Sequence, residues 1–327
     1  MPHLVAAPDK FRGTATAAEV AAAMARAGVA AGWTVDQAPV ADGGEGILEV
    51  LGGAVRHTSV AGPLGQRVDA EWRMQGTTAV IEMAQASGLA LAGGTEANDP
   101  MRASTAGTGE LIAAAVAAGA RKVIVGAGGS ATSDGGLAAL NVLRPFARLR
   151  GVELVVACDV STRFVDAARV FAPQKGATPA QVALLTRRLE RLAQVYEQDY
   201  GVDVRDLAGS GAAGGLAGGL AAAGAVLMPG FDLVADAIGL PDRLAVADLV
   251  VTGEGFLDEQ SFEGKAVGGV LQLAAEAGVA AVVVAGQVFG EPRARAISLV
   301  ERFGEERAMA DTLRCIEEAS SEALRLL

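Results

Sequence analysis

The sequence predicts an α/β protein: a parallel sheet with helices on its faces. Three observations carry this. At the start of the chain, β-branched runs alternate with helical patterns. The runs "KVIV", "VELVVA", "DLVV" and "AAVVVA" are almost continuously apolar, as strands buried on both faces must be. Several of these runs then end alike, in small residues followed by a carboxylate.

Taken in order, "HLVAAPD" reads as a strand stopped by Pro8 and Asp9. Thr16 N-caps the next helix, Glu19 completes a capping box, and Gly32 marks the stop. "TVDQAPVADGGEG" is a strand running into a glycine-rich loop, and "ILEVLGG" continues as helix. From Arg56 to Ala90, apolar and polar residues alternate between the turn signals Gly62-Pro63 and Gln75-Gly76. This predicts antiparallel hairpins at the edge of a different domain. "GTGELIAAAVAAG" is helical, and "KVIVGAG" and "VELVVACDV" are buried strands. The clearest helix starts at the cap Thr178, with Pro179 in its first turn and Gln181 closing a second box. Val182, Leu185, Leu189, Leu192 and Tyr196 recur there at helical spacing. Leu207 to Phe231 carries no charge, but its Ala/Gly content predicts a tightly packed helix rather than a membrane span. Two more buried strands, "ADLVVTGEG" and "VAAVVVAGQV", flank the helix "KAVGGVLQLAAEAG".

A chain of 327 residues, 51% of them apolar, has room for two domains with real cores. A net charge of −11 argues against nucleic acid or an anionic membrane as the main partner, while leaving a small anionic ligand open. Two cysteines, Cys158 and Cys315, make no disulfide framework, and "MPHLVAAPDK" has no signal-peptide pattern. A reduced, cytoplasmic setting is expected. With only His3 and His57 present, acid/base chemistry falls to carboxylates.

The strand-end carboxylates are Asp9, Asp42 with Glu45, Asp134, Asp159, and Glu254 with Asp258. Ligands of open α/β sheets bind beyond the carboxyl ends of strands. Carboxylates gathered there suit Mg²⁺ with phosphate, or a base acting on a hydroxyl; they are also ordinary loop residues. "GAGGSATSDGG" reads either as an anion cradle built from Gly128, Gly129, Ser130 and Thr132, or as a capped tight turn. Lys265 stands at a loop–helix junction, within reach of a phosphate or simply solvated. Gln174 and Lys175 are a possible anion contact or a surface loop. Gly209, Gly211 and Gly214 match G-x-G-x-x-G, but no buried strand precedes them. Gly214/Gly218 and Gly215/Gly219 fit close helix packing better.

In this order, "APDKFRGTATAAEVA", "PVADGGEG", "GTGELIAAA", "GAGGSATSDGG", "ACDV", "FAPQKGAT", "GSGAAGGLAGGL", "DLVVTGEGFLDEQSFEGKA" and "VAGQV" resemble the bacterial glycerate kinase family of the glyoxylate and galactarate pathways. The resemblance runs from Ala7 to Val288. It implies phosphate transfer from ATP, with Mg²⁺, to a hydroxyl of D-glycerate, with 2-phosphoglycerate the favoured product. It further implies a Rossmann-like domain (residues 1–58 with 246–327) interrupted by a second α/β domain (59–245), with the active site in the cleft between them. On that reading Asp42 or Asp134 is the base. Gly128, Gly129, Ser130, Thr132 and Lys265 hold phosphate or nucleotide. Asp9, Arg12, Glu45, Gln174 and Lys175 meet the substrate, and Asp159, Glu254 and Asp258 hold the metal.

The chain departs from the family pattern at several places. Lys10 and Arg12 replace a Ser and a Lys, and Phe256 and Ser261 replace an Arg and a Thr. The segment between "SDGG" and "ACDV" is short, and "STRFVDAARV" replaces the usual loop after it. These changes bear on the acceptor: another small hydroxy acid, or a ligand-binding relative without turnover, are the alternative readings.

Overall fold

The computed structural model describes residues 1–262 and 265–325; Glu263 and Gly264 of the "SFEGK" stretch lie outside them. The described strands are β1 (His3–Ala6), β2 (Thr34–Gln37), β3 (Ala54–Ala61), β4 (Arg67–Gln75), β5 (Thr78–Glu82), β6 (Lys122–Gly126), β7 (Glu153–Cys158), β8 (Val226–Pro229), β9 (Leu249–Leu257), β10 (Ala280–Val288) and β11 (Ala296–Ser298). The chain divides into two compact units. The first holds Met1–Asp42, Glu49–Leu51 and Phe231–Leu327, and the second holds Gly43–Leu48 and Gly52–Gly230.

The first unit carries the sheet β11-β10-β9-β1-β2, every pair of it parallel. Successive side chains of a strand point to opposite faces, and here both faces are covered. Leu4, Ala6, Leu249 and Val251 enter a core with Met24, Ile316 and Ala319. Val5, Ala7 and Val250 enter another with Phe231, Leu240 and Val270. The segment 231–244, grouped with the inserted domain in the sequence reading, falls in this unit because Phe231, Ala235, Leu240 and Leu244 pack on β1 and β9. Both predicted elements at the entry are present: helix Ala17–Ala30 has Thr16 and Glu19 in a reciprocal capping box, and Gly32 takes a φ of 81° just past its end.

The second unit carries the sheet β3-β4-β5-β6-β7-β8. β3, β4 and β5 are the predicted antiparallel meander; β5 to β8 run parallel. β3 pairs with β4 along its whole length, which places residues 54–58 in this unit. Helix Pro179–Tyr200 has the predicted Thr178/Gln181 box, and Leu185, Leu189 and Tyr196 are buried against Phe164.

The uncharged stretch 207–231 corrects the expectation of one helix. It forms a 3-10 turn (Ala212–Gly215), a short helix (Leu216–Ala222) and then β8. Ala213 and Gly214 take positive φ, 52° and 68°. A Cβ on Gly214 would collide with the carbonyl oxygen of Thr132. The backbone is drawn onto the 130–136 loop more closely than a continuous helix permits.

Candidate functional site

In the first sheet the chain moves outward from β1 to β2 on one side and from β9 to β10 on the other, so the strand order reverses between β1 and β9. Loops leaving the carboxyl ends of strands at such a point diverge and leave a crevice, the usual ligand position in open α/β sheets. A polar cavity of about 250 Å³ lies there, lined by Asp9, Lys10, Arg12, Asp42, Glu254 and Lys265 with Phe256, Asp258 and Ser261. All of these belong to one unit.

Each side chain is held there for a local reason. Asp9 follows β1, and its backbone N–H donates to the Gly253 carbonyl at 2.8 Å, tying the loop to β9. Phe11 is buried, and the Phe11–Ala15 turn closes through paired backbone bonds of 2.9 Å, leaving Arg12 exposed at its tip. Glu254 and Phe256 are two residues apart on β9 and therefore share a face. Asp258 accepts the Ser261 N–H at 3.0 Å, and the Ser261 hydroxyl accepts the Asp258 N–H at 3.1 Å, a reciprocal lock. Lys265 is the N-cap residue of helix Ala266–Ala277.

Charge is costly in this cavity. Burial pushes the Asp9 carboxyl up to about 6, against the pull of Lys10, with the charge of Asp42 adding to the rise. The Lys10 ammonium stands 3.6 Å from it. Burial pushes Glu254 up to about 7; Ser261 and Lys265 pull it down, and Asp9 and Asp258 push it further up. Glu254 Oε1 is buried without a hydrogen-bond partner among the described residues. A carboxylate with a bare oxygen, titrating near neutrality beside cations, can take a proton from a bound hydroxyl.

The other sequence candidates stand in the second unit. Asp134 is fully engaged: Oδ2 accepts the Thr105 N–H at 2.9 Å and its hydroxyl at 2.8 Å, and Oδ1 accepts the Gly136 N–H at 3.1 Å. Burial raises its pKa and these bonds oppose the rise. Asp134 also borders an apolar cavity of about 690 Å³ along helix Pro179–Tyr200. Ser130 and Thr132 are buried, their hydroxyls 3.0 Å apart. Lys175 is buried as well, not a surface loop residue: its Nζ donates to Thr132 O at 2.7 Å and to Ser130 Oγ at 3.3 Å. Burial holds its amine down to about 7, with Asp134 opposing. Gly128 packs on Gly44, where a Cβ would come within 2.7 Å of the Gly44 Cα, and Gly129 is exposed. Glu45, Gln174 and Asp159 are exposed.

Comparison with known proteins decides the family. Residues 4–144 and 138–327 match the model of the glycerate kinase family, which is nearly the whole chain. The chain belongs to the glycerate kinase family. Glycerate 2-kinase of Escherichia coli K12 is 39% identical over 311 residues, covering 83% of this chain and 81% of that protein. A glycerate kinase of Bacillus subtilis 168 is 38% identical over 325 residues, covering 87% and 85%. The crystal structure of a protein assigned as glycerate kinase 2 from Salmonella typhimurium LT2 superposes with a TM-score of 0.86 at 33% identity, covering 99% of this chain and 98% of that one. The two matched segments of this glycerate kinase homologue overlap at 138–144, across helix Leu137–Leu143 and its C-cap Arg144.

Among the described residues no group of three or more His, Cys, Asp or Glu is gathered as a metal site. Of the three carboxylates named from sequence for the metal, Asp159 belongs to the second unit and Glu254 and Asp258 to the first, where Asp258 Oδ1 accepts the Ser261 N–H. A magnesium ion bridging phosphates, however, takes only one or two protein carboxylates. Asp9 and Asp42, close enough for the charge of one to raise the pKa of the other, fit that need. Two residues were missed by sequence reasoning. Lys10, read only as a departure, lines the cavity. Glu82, at the end of β5, is buried and accepts the Gly46 N–H at 2.8 Å, holding the 43–48 loop. Its signal was a carboxylate closing the apolar run "AVIE".

Proposed function

We propose that this glycerate kinase homologue transfers the γ-phosphoryl group of ATP to a hydroxyl of D-glycerate, giving 2-phosphoglycerate. The observation that carries the reading is the first unit's cavity. Three cations, Lys10, Arg12 and Lys265, share it with Glu254, whose bare, buried oxygen titrates near neutrality. The name of the Escherichia coli relative, a glycerate 2-kinase, supports the acceptor and the position.

Phosphoryl transfer asks a protein mainly for positioning and for charge stabilisation. Glu254 accepts the proton of the attacking hydroxyl. Lys10, Arg12 and Lys265 meet phosphate oxygens or the glycerate carboxylate as cations. Asp9 and Asp42 would hold Mg²⁺, which would supply positive charge to neutralise the phosphate oxygens. Asp134, with both oxygens occupied, positions the 130–136 loop rather than moving a proton. The buried free thiols of Cys158 and Cys315 fit a reducing compartment, and we place the reaction in the cytoplasm.

The test is purified protein with ATP, Mg²⁺ and D-glycerate, with ADP release followed and the product identified by NMR. 2-Phosphoglycerate is expected. 3-Phosphoglycerate refutes the position assigned. Turnover with a different hydroxy acid alone refutes the acceptor. A melting shift with glycerate but no ADP release refutes catalysis.

A further inference from the structure

Phe256, which lines the first unit's cavity, and Phe289, stacked on it, are phenylalanine rings that belong to no core cluster among the described residues. Phe256 is 57% exposed and Phe289 50%. They stack on each other, with ring centroids 6.2 Å apart and planes 28° from parallel. The sheet register explains the pairing. Phe256 lies opposite Gln287 across β9 and β10, and Phe289 is two residues beyond Gln287, on the same face. Glu254, two residues before Phe256, is on that face too. The face therefore runs outward from the half-buried Glu254 carboxylate, to Phe256 at the lip, to Phe289 beyond it.

Only 4% of this chain is aromatic, so two stacked, solvent-facing rings are a conspicuous use of phenylalanine. Their neighbours give them a chemistry. Lys10, Arg12 and Lys265 line the same cavity as Phe256. A flat apolar platform next to a cluster of cations complements a molecule with a flat π-system at one end and a run of negative charge at the other, which describes a nucleotide. We infer that Phe256 and Phe289 form the stacking platform for the donor's purine base, with its phosphates directed inward to Lys10, Arg12 and Lys265. The inference rests on the phosphotransferase reading and adds where the base is held. An arginine at position 256, the family pattern, offers a different partner to the base; here the ring provides the stacking.

The test measures KM for ATP and for D-glycerate in wild-type protein, Phe256→Ala, Phe289→Ala and the double variant, with Phe256→Trp as the conservative replacement. Removing a stacking partner weakens nucleotide binding by roughly 5- to 150-fold. The double variant is expected to raise KM for ATP in that range, to leave KM for glycerate and the melting temperature unchanged, and to lose the preference for ATP over base-free tripolyphosphate as competitor. Phe256→Trp is expected to keep the wild-type KM. An unchanged KM for ATP, or a rise confined to glycerate, overturns the assignment. If wild-type protein transfers no phosphate, the functional reading fails separately. Calorimetric titration with ATP then decides the platform: binding that the double variant loses supports it, and no binding by wild type, or binding the variant keeps, overturns it.

Discussion

Replacing Glu254 by glutamine is expected to stabilise the protein and to silence it. Burial raises the Glu254 carboxyl from an ordinary 4.5 to about 7, and its Oε1 has no hydrogen-bond partner among the described residues. In the unfolded chain the same group gives up its proton near 4.5. Between those values the folded state binds a proton that the unfolded state has lost. Stability therefore falls as pH rises through that window, and the loss persists above it. The window from 4.5 to about 7, at about 1.36 kcal/mol per pH unit, corresponds to about 3 kcal/mol. Partial exposure of the side chain reduces this to about 2 kcal/mol. Glutamine keeps the shape and carries no charge, so the substitution should recover that amount near pH 8 and almost none below pH 4.5.

The assay is thermal or urea unfolding of wild type and Glu254→Gln at both pH values. A gain of roughly 2–4 °C per kcal/mol is expected at the higher pH alone. In parallel, turnover should fall at least about a hundredfold, the scale of a lost general base. The wild-type kcat/KM should climb as pH rises through about 7, and the variant's residual rate should not. Equal stabilities near pH 8 would show that the charge is not costly where it sits. Near-normal turnover would remove Glu254 from the mechanism even if the stability gain appeared.

Other substitutions probe the second unit. Asp134→Asn turns one acceptor oxygen into an amide that faces the N–H of Thr105 or Gly136, and should cost about 1–3 kcal/mol, read as a lowered melting temperature. Lys175→Met tests the opposite pH sign. With the folded amine near 7 and an ordinary value of 10.5, the unfolded chain holds the extra proton, so wild type gains stability relative to the variant as pH rises through that window. Melts near pH 7 and pH 10 check this. Gly214→Ala drives a methyl into the Thr132 carbonyl at a φ of 68° and should destabilise by at least about 2 kcal/mol or prevent soluble expression.

The parts of this fold that are legible in the sequence are those decided within one turn of chain. Thr16 with Glu19, and Thr178 with Gln181, are three residues apart; both partners of each box are in view at once, and both boxes form. The apolar runs announce strands because burial on two faces leaves no polar alternation. What distant contacts decide is not legible. Lys175 reads as a loop residue until the 130–132 loop, 45 residues earlier, closes over its amine. The Ala/Gly stretch reads as a helix until the backbone at Thr132 forces Gly214 to a positive φ. The strand-end carboxylates show the same limit most sharply, because sequence presents them as equals. Asp134 has both oxygens occupied by nearby backbone and hydroxyl donors, and Asp258 has its Oδ1 held by the Ser261 N–H. Glu254 keeps its Oε1 bare: Ser261 and Lys265 pull its pKa down, but burial outweighs them, and Asp9, brought in from the other end of the chain, adds repulsion. What sets Glu254 apart from Asp134 is one oxygen that no donor reaches among the described residues, a difference made by contacts far apart in the chain.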